Sequence, residues 1–142
     1  MKVSDIMTKN VIGIDPEESA EVAARTLTHY NVGALPVRTA DGKVCGVVTD
    51  RDLVIRCMAS GKQPSQTKVK TVMTGRVLSV SPDMDAAAAA QLMGSKQIRR
   101  LPVVEKGKLC GMISLGDIAR REEIQTMAAQ ALNGITSIVQ KG

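Results

Sequence analysis

The chain has 142 residues, enough for one compact domain or for two half-size units that share a core. Hydrophobic residues make up 44% and charged residues 23%, as in ordinary globular chains; no apolar run reaches spanning length and no signal core opens the chain, so a cytoplasmic, non-membrane protein is expected. The formal charge of +5 invites polyanions, but the basic residues are scattered and Tyr30 is the sole aromatic, which argues against nucleic acid held by base stacking.

In chain order, Met7 and Thr8 precede a short β-like run, Val11 to Ile14, stopped by Asp15 and Pro16. From Ser19 the spacing turns helical, with Ala20, Ala23, Ala24 and Leu27 on one face. The apolar run Leu35-Pro36-Val37 follows, then a turn over 40–43 whose Asp41-Gly42 step signals a hairpin, then a strand from Val44 to Thr49. Proline cannot donate to a ladder, so Pro36 belongs at a strand start or on an edge. A second helix is expected over 50–58, and residues 60–67, rich in Gly, Pro and polar side chains, read as a linker.

The same order then recurs. Lys2, Val3, Met7, Thr8, Val11 and Pro16 return as Lys68, Val69, Met73, Thr74, Val77 and Pro82, at a constant offset of 66. That offset also carries Leu35-Pro36-Val37 onto Leu101-Pro102-Val103, and the helical face onto Ala86, Ala89, Ala90 and Met93. The second turn, Lys106 to Lys108, is one residue shorter, so Cys45-Gly46 matches Cys110-Gly111 at an offset of 65. The predicted division is a first unit over 1–59, a linker over 60–67, a second unit over 68–124 and a tail over 125–142. In the tail, Met127, Ala128, Ala131 and Leu132 fit one helical face, as a capping or dimer-contact helix would. Each unit reads β-α-β-β-α, an α/β (α+β) pattern, and so short a unit buries too little surface to stand alone. Two copies can pack about a pseudo-twofold axis, with any cleft between them occurring as a pair. Cys45, Cys57 and Cys110 have no metal-ligand or disulfide spacing and read as small buried hydrophobes.

Each copy's last strand ends in the pattern G-h-h-[ST]-x-x-D, where h is apolar: Gly46 to Asp52, and Gly111 to Asp117. A hydroxyl with a carboxylate three residues on, at a strand-to-helix junction, fits a helix N-cap. It equally fits a small-molecule site, where the carboxylate accepts from both hydroxyls of a ribose and the hydroxyl and helix N–H groups face a phosphate. Arg99 and Arg100 open the second Leu-Pro-Val strand, and guanidinium forks suit phosphate oxygens; the first copy has Gly33 and Ala34 there instead. His29 stands alone, without a nucleophile motif, a Walker loop or a dinucleotide fingerprint nearby, so no enzyme and no catalytic residue is expected.

Taken together, the Met-Thr start, the Leu-Pro-Val strand and the G-h-h-[ST]-x-x-D ending, twice in one order over 2–124, resemble a tandem pair of CBS domains, or Bateman module. The resemblance implies two units packed sheet to sheet, leaving two clefts that bind adenosine-containing ligands: AMP, ADP or ATP, S-adenosylmethionine, or dinucleotides. It further implies a regulatory protein, a homodimer, and output to a separate effector protein; no cofactor and no metal are expected, although clefts of some family members bind metals or stay empty. One cleft would take the ribose at Ser114 and Asp117, with Thr8, Val11, Ile12 and Ala34 around the adenine. The other would use Thr49 and Asp52 with Thr74, Val77 and Leu78. Arg99 and Arg100 match phosphate-binding positions of the family, and Arg51 is a weaker candidate. The competing reading is a ligand-free module that meets protein or nucleic acid through its basic surface.

Overall fold

A computed structural model describes residues 1–122 of the chain. The predicted tail, and with it the apolar face from Met127 to Leu132, lies outside the described residues. The first copy comprises α1 (Val3–Ile6), α2 (Ala20–Tyr30), β1 (Ala34–Arg38), β2 (Val44–Thr49) and α3 (Asp50–Asp52), which widens into a π-helix over Leu53–Met58. A short 3-10 turn at Pro64–Gln66 leads to the second copy: α4 (Val69–Val72), α5 (Ala86–Lys96), β3 (Arg100–Glu105), β4 (Lys108–Ser114) and α6, helical from 115 to the last described residue.

The long helices repeat in detail. Along α2, Ala20, Ala23 and Leu27 are buried; along α5 the buried residues are Ala86, Ala89 and Met93, one offset further on. Alanine on this face lets the helix approach the sheet closely. Ala24, expected on the same face, is exposed, because the buried stripe is narrow and runs through Ala20, Ala23 and Leu27, leaving Ala24 beside it. Ser19 Oγ accepts from Val22 N at 3.1 Å and starts α2 as an N-cap. Both helices stop on a left-handed residue, Asn31 at φ 53° and Gln97 at φ 55°.

Each copy contributes a two-stranded antiparallel sheet. Leu35 pairs with Val48 and Leu101 with Ile113, and each hairpin carries a bulge one residue past its buried valine, Val37 or Val103. The tighter second hairpin turns through Lys106 and Gly107, both at positive φ, as a two-residue primed turn requires. The predicted strand over Val11 to Ile14 reduces to one parallel bridge, Ile14 to Val37, and its counterpart to Val80 with Val103. Asn10 at φ 56° turns the backbone just before this run, and Gly13 packs against Arg38, so only its end reaches the sheet. The predicted second helix also differs: bonds from Ala59 N to Val54 O and from Lys62 N to Cys57 O span five residues. Leu53 and Cys57 still reach the core.

The start of each copy crosses to the other. Val3 N donates to Met84 O at 2.8 Å, and its repeat partner Val69 N donates to Glu18 O at 2.8 Å. Thr8 exchanges two backbone bonds with Met112 of β4, and Thr74 exchanges two with Val47 of β2. Val69 and Val72 therefore complete the core of the first copy, around Leu35, Val37 and Val48, while Val3 sits in the core of the second, with Leu101, Val103 and Ile113. Each fully buried valine contributes about 1.5–3 kcal/mol of hydrophobic stabilisation. Neither core is complete without residues of the other copy, which is how units this small become stable.

The motifs explain one another. A Cβ on Gly46 would stand 2.5 Å from Met73 Sδ and 2.8 Å from Thr74 O. A Cβ on Gly111 would stand 2.6 Å from Thr8 O and 2.9 Å from Met7 Sδ. The glycine that opens each G-h-h-[ST]-x-x-D motif is the seat of the other copy's Met-Thr pair. Both crossings need a residue without a side chain there.

Candidate functional site

A cavity of about 830 Å³ opens between the copies, walled by the start of the first and the β4–α6 junction of the second. The crossing of Thr8 onto Met112 brings these walls together, since it lays residues 8–12 beside the end of β4. Thr8, Val11, Ile12 and Ala34 line one side; Ser114 and Asp117 line the other, with Arg99 and Arg100 also on the wall. All the residues assigned from the sequence to this cleft therefore meet in one cavity.

Ser114 ends β4, opposite Arg100 in the hairpin register, and its Oγ accepts from Asp117 N at 3.0 Å. The hydroxyl therefore caps the start of α6 while facing the cavity. Asp117 lies one turn into α6 and pairs with Arg120 of the next turn, a spacing that stacks the two side chains on one helix face. The carboxylate is held at the wall with its side chain 23% exposed. Three arginines, Arg99, Arg100 and Arg120, share the lining with this one carboxylate, so the cavity carries net positive charge. Val11, Ile12, Val32 and Leu115 supply apolar surface beside it. A mostly apolar wall with a few convergent polar groups is the usual make-up of a small-molecule site.

The second predicted cleft is built differently. Thr49 Oγ1 accepts from Asp52 N at 3.0 Å, as at Ser114, but here Asp52 Oδ2 also accepts from Thr49 N at 3.0 Å. This reciprocal box turns the carboxylate back onto its own helix start, and Asp52 is buried. Arg56 then straps the junction: its Nη1 donates to Met73 O at 2.9 Å and its Nε lies 3.9 Å from Asp52 Oδ1. Thr74 is engaged with Val47, Val77 is half-buried, and Leu78 packs against the second core. Arg51 is exposed and donates its backbone N–H to Asp50 Oδ1 at 2.8 Å. None of Thr49, Arg51, Asp52, Thr74, Val77 and Leu78 lines the cavity.

Among the cavity residues that escaped the sequence reading are Tyr30 and Arg120. Tyr30, at the end of α2, is on the wall, half-exposed and edge-on to the His29 ring, with centroids 4.7 Å apart. Being the only aromatic residue beside a helix stop was its one available signal. Arg120 was findable from its three-residue spacing to Asp117 on a predicted helix. Among the described residues no group of His, Cys, Asp and Glu is placed to hold a metal, and no helix is long and apolar enough to cross a membrane. Of the cysteines read as buried hydrophobes only Cys57 is buried; Cys45 and Cys110 are partly buried against the two cores, and desolvation raises the Cys45 thiol above its ordinary range.

Comparison with known proteins gives this geometry a setting. The CBS domain profile matches residues 3–58 and again 69–123. The CBS domain-containing protein YhcV of Bacillus subtilis (strain 168) is 39% identical over 134 residues, which span 94% of each chain. Among solved structures, CBSX2 in complex with AMP is 30% identical with a TM-score of 0.78, covering 88% of this chain and 98% of its own. The CBS domain pair of MJ0100, in complex with 5-methylthioadenosine and S-adenosyl-L-methionine, has the same TM-score at 26% identity, with 88% and 98% covered. The two matched segments, the paired hairpin sheets with their helices, and these relatives agree: the chain belongs to the CBS-domain family, as a tandem pair.

Proposed function

We propose that the protein is a non-catalytic regulatory module that binds an adenosine-containing ligand, such as AMP, ADP, ATP, S-adenosylmethionine or a dinucleotide, between its two copies. In this reading it works as a cytoplasmic homodimer and passes its signal to a separate effector protein. The observation that carries the reading is the cavity in which Ser114 and Asp117 of one copy face Thr8, Val11, Ile12 and Ala34 of the other. The Asp117 carboxylate suits the two hydroxyls of a ribose, and the aliphatic wall suits the faces of a purine. Arg99 and Arg100 are the forks for phosphate or another anionic group. The remaining titratable groups on the wall are Tyr30 and Arg120, a set suited to recognition. Relatives seen with AMP and with S-adenosyl-L-methionine support the ligand class. Binding regulates only if the ligand prefers one arrangement of the copies, or of a dimer, over another.

Tyr30 offers a direct test, because the chain's aromatic fluorescence comes from one residue on the cavity wall. Titration with adenosine, AMP, ADP, ATP and S-adenosylmethionine is expected to change that emission saturably for at least one compound. The same compound should raise the melting temperature, with stabilisation reaching about 2.7 kcal/mol at a hundredfold excess over Kd. If no adenosine compound moves either signal, the reading is wrong and the module meets its partners through its basic surface.

A further inference from the structure

Among the described residues, Asp117 and Arg120 form the one ion pair with both members on the cavity wall. Arg120 Nη2 donates to Asp117 Oδ1 from the next turn of α6. The two ends differ in freedom: the Asp117 side chain is 23% exposed, that of Arg120 73%. The first copy places its guanidinium elsewhere. At the offset of 65, Arg56 corresponds to Arg121 and Ile55 to Arg120. Arg56, four residues after Asp52, is engaged at the junction, where it donates to Met73 O at 2.9 Å. Its counterpart Arg121 is exposed and lies off the cavity wall. In the second copy the arginine on the carboxylate comes from one residue earlier, a step of about 100° around a helix. That step exchanges a strap between elements for a guanidinium at the cavity.

We propose that Arg120 is a specificity-determining residue, which makes the cavity favour adenosine compounds that carry phosphate over neutral nucleosides. This rests on the adenosine reading above and deepens it. A ribose diol that engages Asp117 must share a carboxylate already held by Arg120. A neutral nucleoside offers the displaced guanidinium nothing in return. A nucleotide offers its phosphate oxygens, which suit the arginine fork, while Asp117 turns to the ribose. The exchange is easy, because an exposed pair three residues apart on a helix is held weakly. Ribose and phosphate recognition are thereby coupled through one side chain.

The test is calorimetric titration of adenosine, 5-methylthioadenosine and AMP into the wild-type protein, Arg120→Gln and Arg120→Lys. Arg120→Gln is expected to weaken AMP about tenfold, as for a lost charge-assisted contact. It should also tighten both neutral nucleosides about twofold, since the competitor for Asp117 is gone. The preference for AMP over adenosine then falls about twentyfold. Arg120→Lys keeps the charge without the fork, so its preference should lie between the two. If Arg120→Gln fails to fold, the smaller fall in Arg120→Lys carries the same test. A preference that is unchanged or raised makes the pair an ordinary surface bridge and overturns the role of Arg120, while leaving the adenosine site intact. If the folded wild-type protein binds none of the three, the adenosine reading fails and this inference with it.

Discussion

At the end of β2 the Asp52 carboxylate folds back onto Thr49 N, and Arg56 ties the junction to Met73 O. At the end of β4 the matching Asp117 keeps its backbone bond to Ser114 Oγ, and its carboxylate pairs with Arg120 on the cavity wall. The residue types are nearly the same; the hydrogen-bond bookkeeping is not. One carboxylate returns Oδ2 to its own backbone and is buried beside Arg56. The other takes no backbone bond back from Ser114 and stands on the cavity wall, paired with Arg120. A duplicated motif therefore keeps its capping hydroxyl in both copies and lines the cavity in only one.

The largest test of this comparison lies beneath it, in the two cores. Leu35→Ala and Leu101→Ala, both buried and matched by the repeat, should each cost about 2–5 kcal/mol in urea denaturation and leave a single transition. Separate transitions would mean that the copies fold independently despite their crossed starts. Next come the seats of the crossings. Gly46→Ala and Gly111→Ala push a methyl into backbone carbonyls and should each cost about 1–3 kcal/mol. Only Gly111→Ala should also weaken nucleotide binding, since Thr8 is on the cavity wall and Thr74 is not; equal losses would place ligand at both junctions. Asp117→Ala should weaken adenosine binding about tenfold, or about 1.4 kcal/mol, with a smaller change in melting temperature. Asp52→Ala should reverse the pattern, costing about 1 kcal/mol of stability with binding retained, as for a lost cap.

The smallest effect concerns Glu17, which meets Lys68 Nζ at 2.7 Å and Lys70 Nζ at 2.8 Å across the copies. Hydrogen bonds to Lys68 and then Lys70 hold its carboxyl down to about 2, from an ordinary 4.5. A depressed folded-state pKa stabilises above the unfolded value, and that contribution is lost as pH falls from about 4.5 through about 2. Glu17→Gln should flatten the acid side of the stability profile across this window, slightly and less so in high salt, because the group is exposed. An unchanged acid limb would remove the Glu17 bridge from the list of contacts that join the copies.

Much of this was legible in the residues. The offset of 66 carries buried Ala20, Ala23 and Leu27 onto buried Ala86, Ala89 and Met93, because helix spacing and burial obey the same period. The Asp41-Gly42 and Lys106-Gly107 turns announced both hairpins, since positive φ at Gly42 and Gly107 needs glycine. What escaped depends on choices made in three dimensions. Periodicity cannot say which oxygen of Asp52 returns to Thr49, nor that Val11 to Ile14 would touch the sheet at one residue only. A π-widened turn after Asp52 leaves no mark in the spacing of Leu53 and Cys57, both buried as an ordinary helix would bury them. The wall position of Tyr30 follows from where α2 ends relative to the other copy, which is tertiary information.

The crossed starts have a consequence for how the protein is made. A ribosome delivers residues 1–58 well before Val69 and Val72, yet those two valines close the core around Leu35 and Val48. At translation speeds of about 5–20 residues per second, the first copy waits with apolar surface uncovered until the linker and α4 have emerged. Val3 waits longer still, because its berth beside Leu101 and Ile113 is synthesised last among the described segments it touches. The molecule is therefore sealed from both ends late in synthesis, and a nascent chain stalled within the linker would be the species most in need of a chaperone.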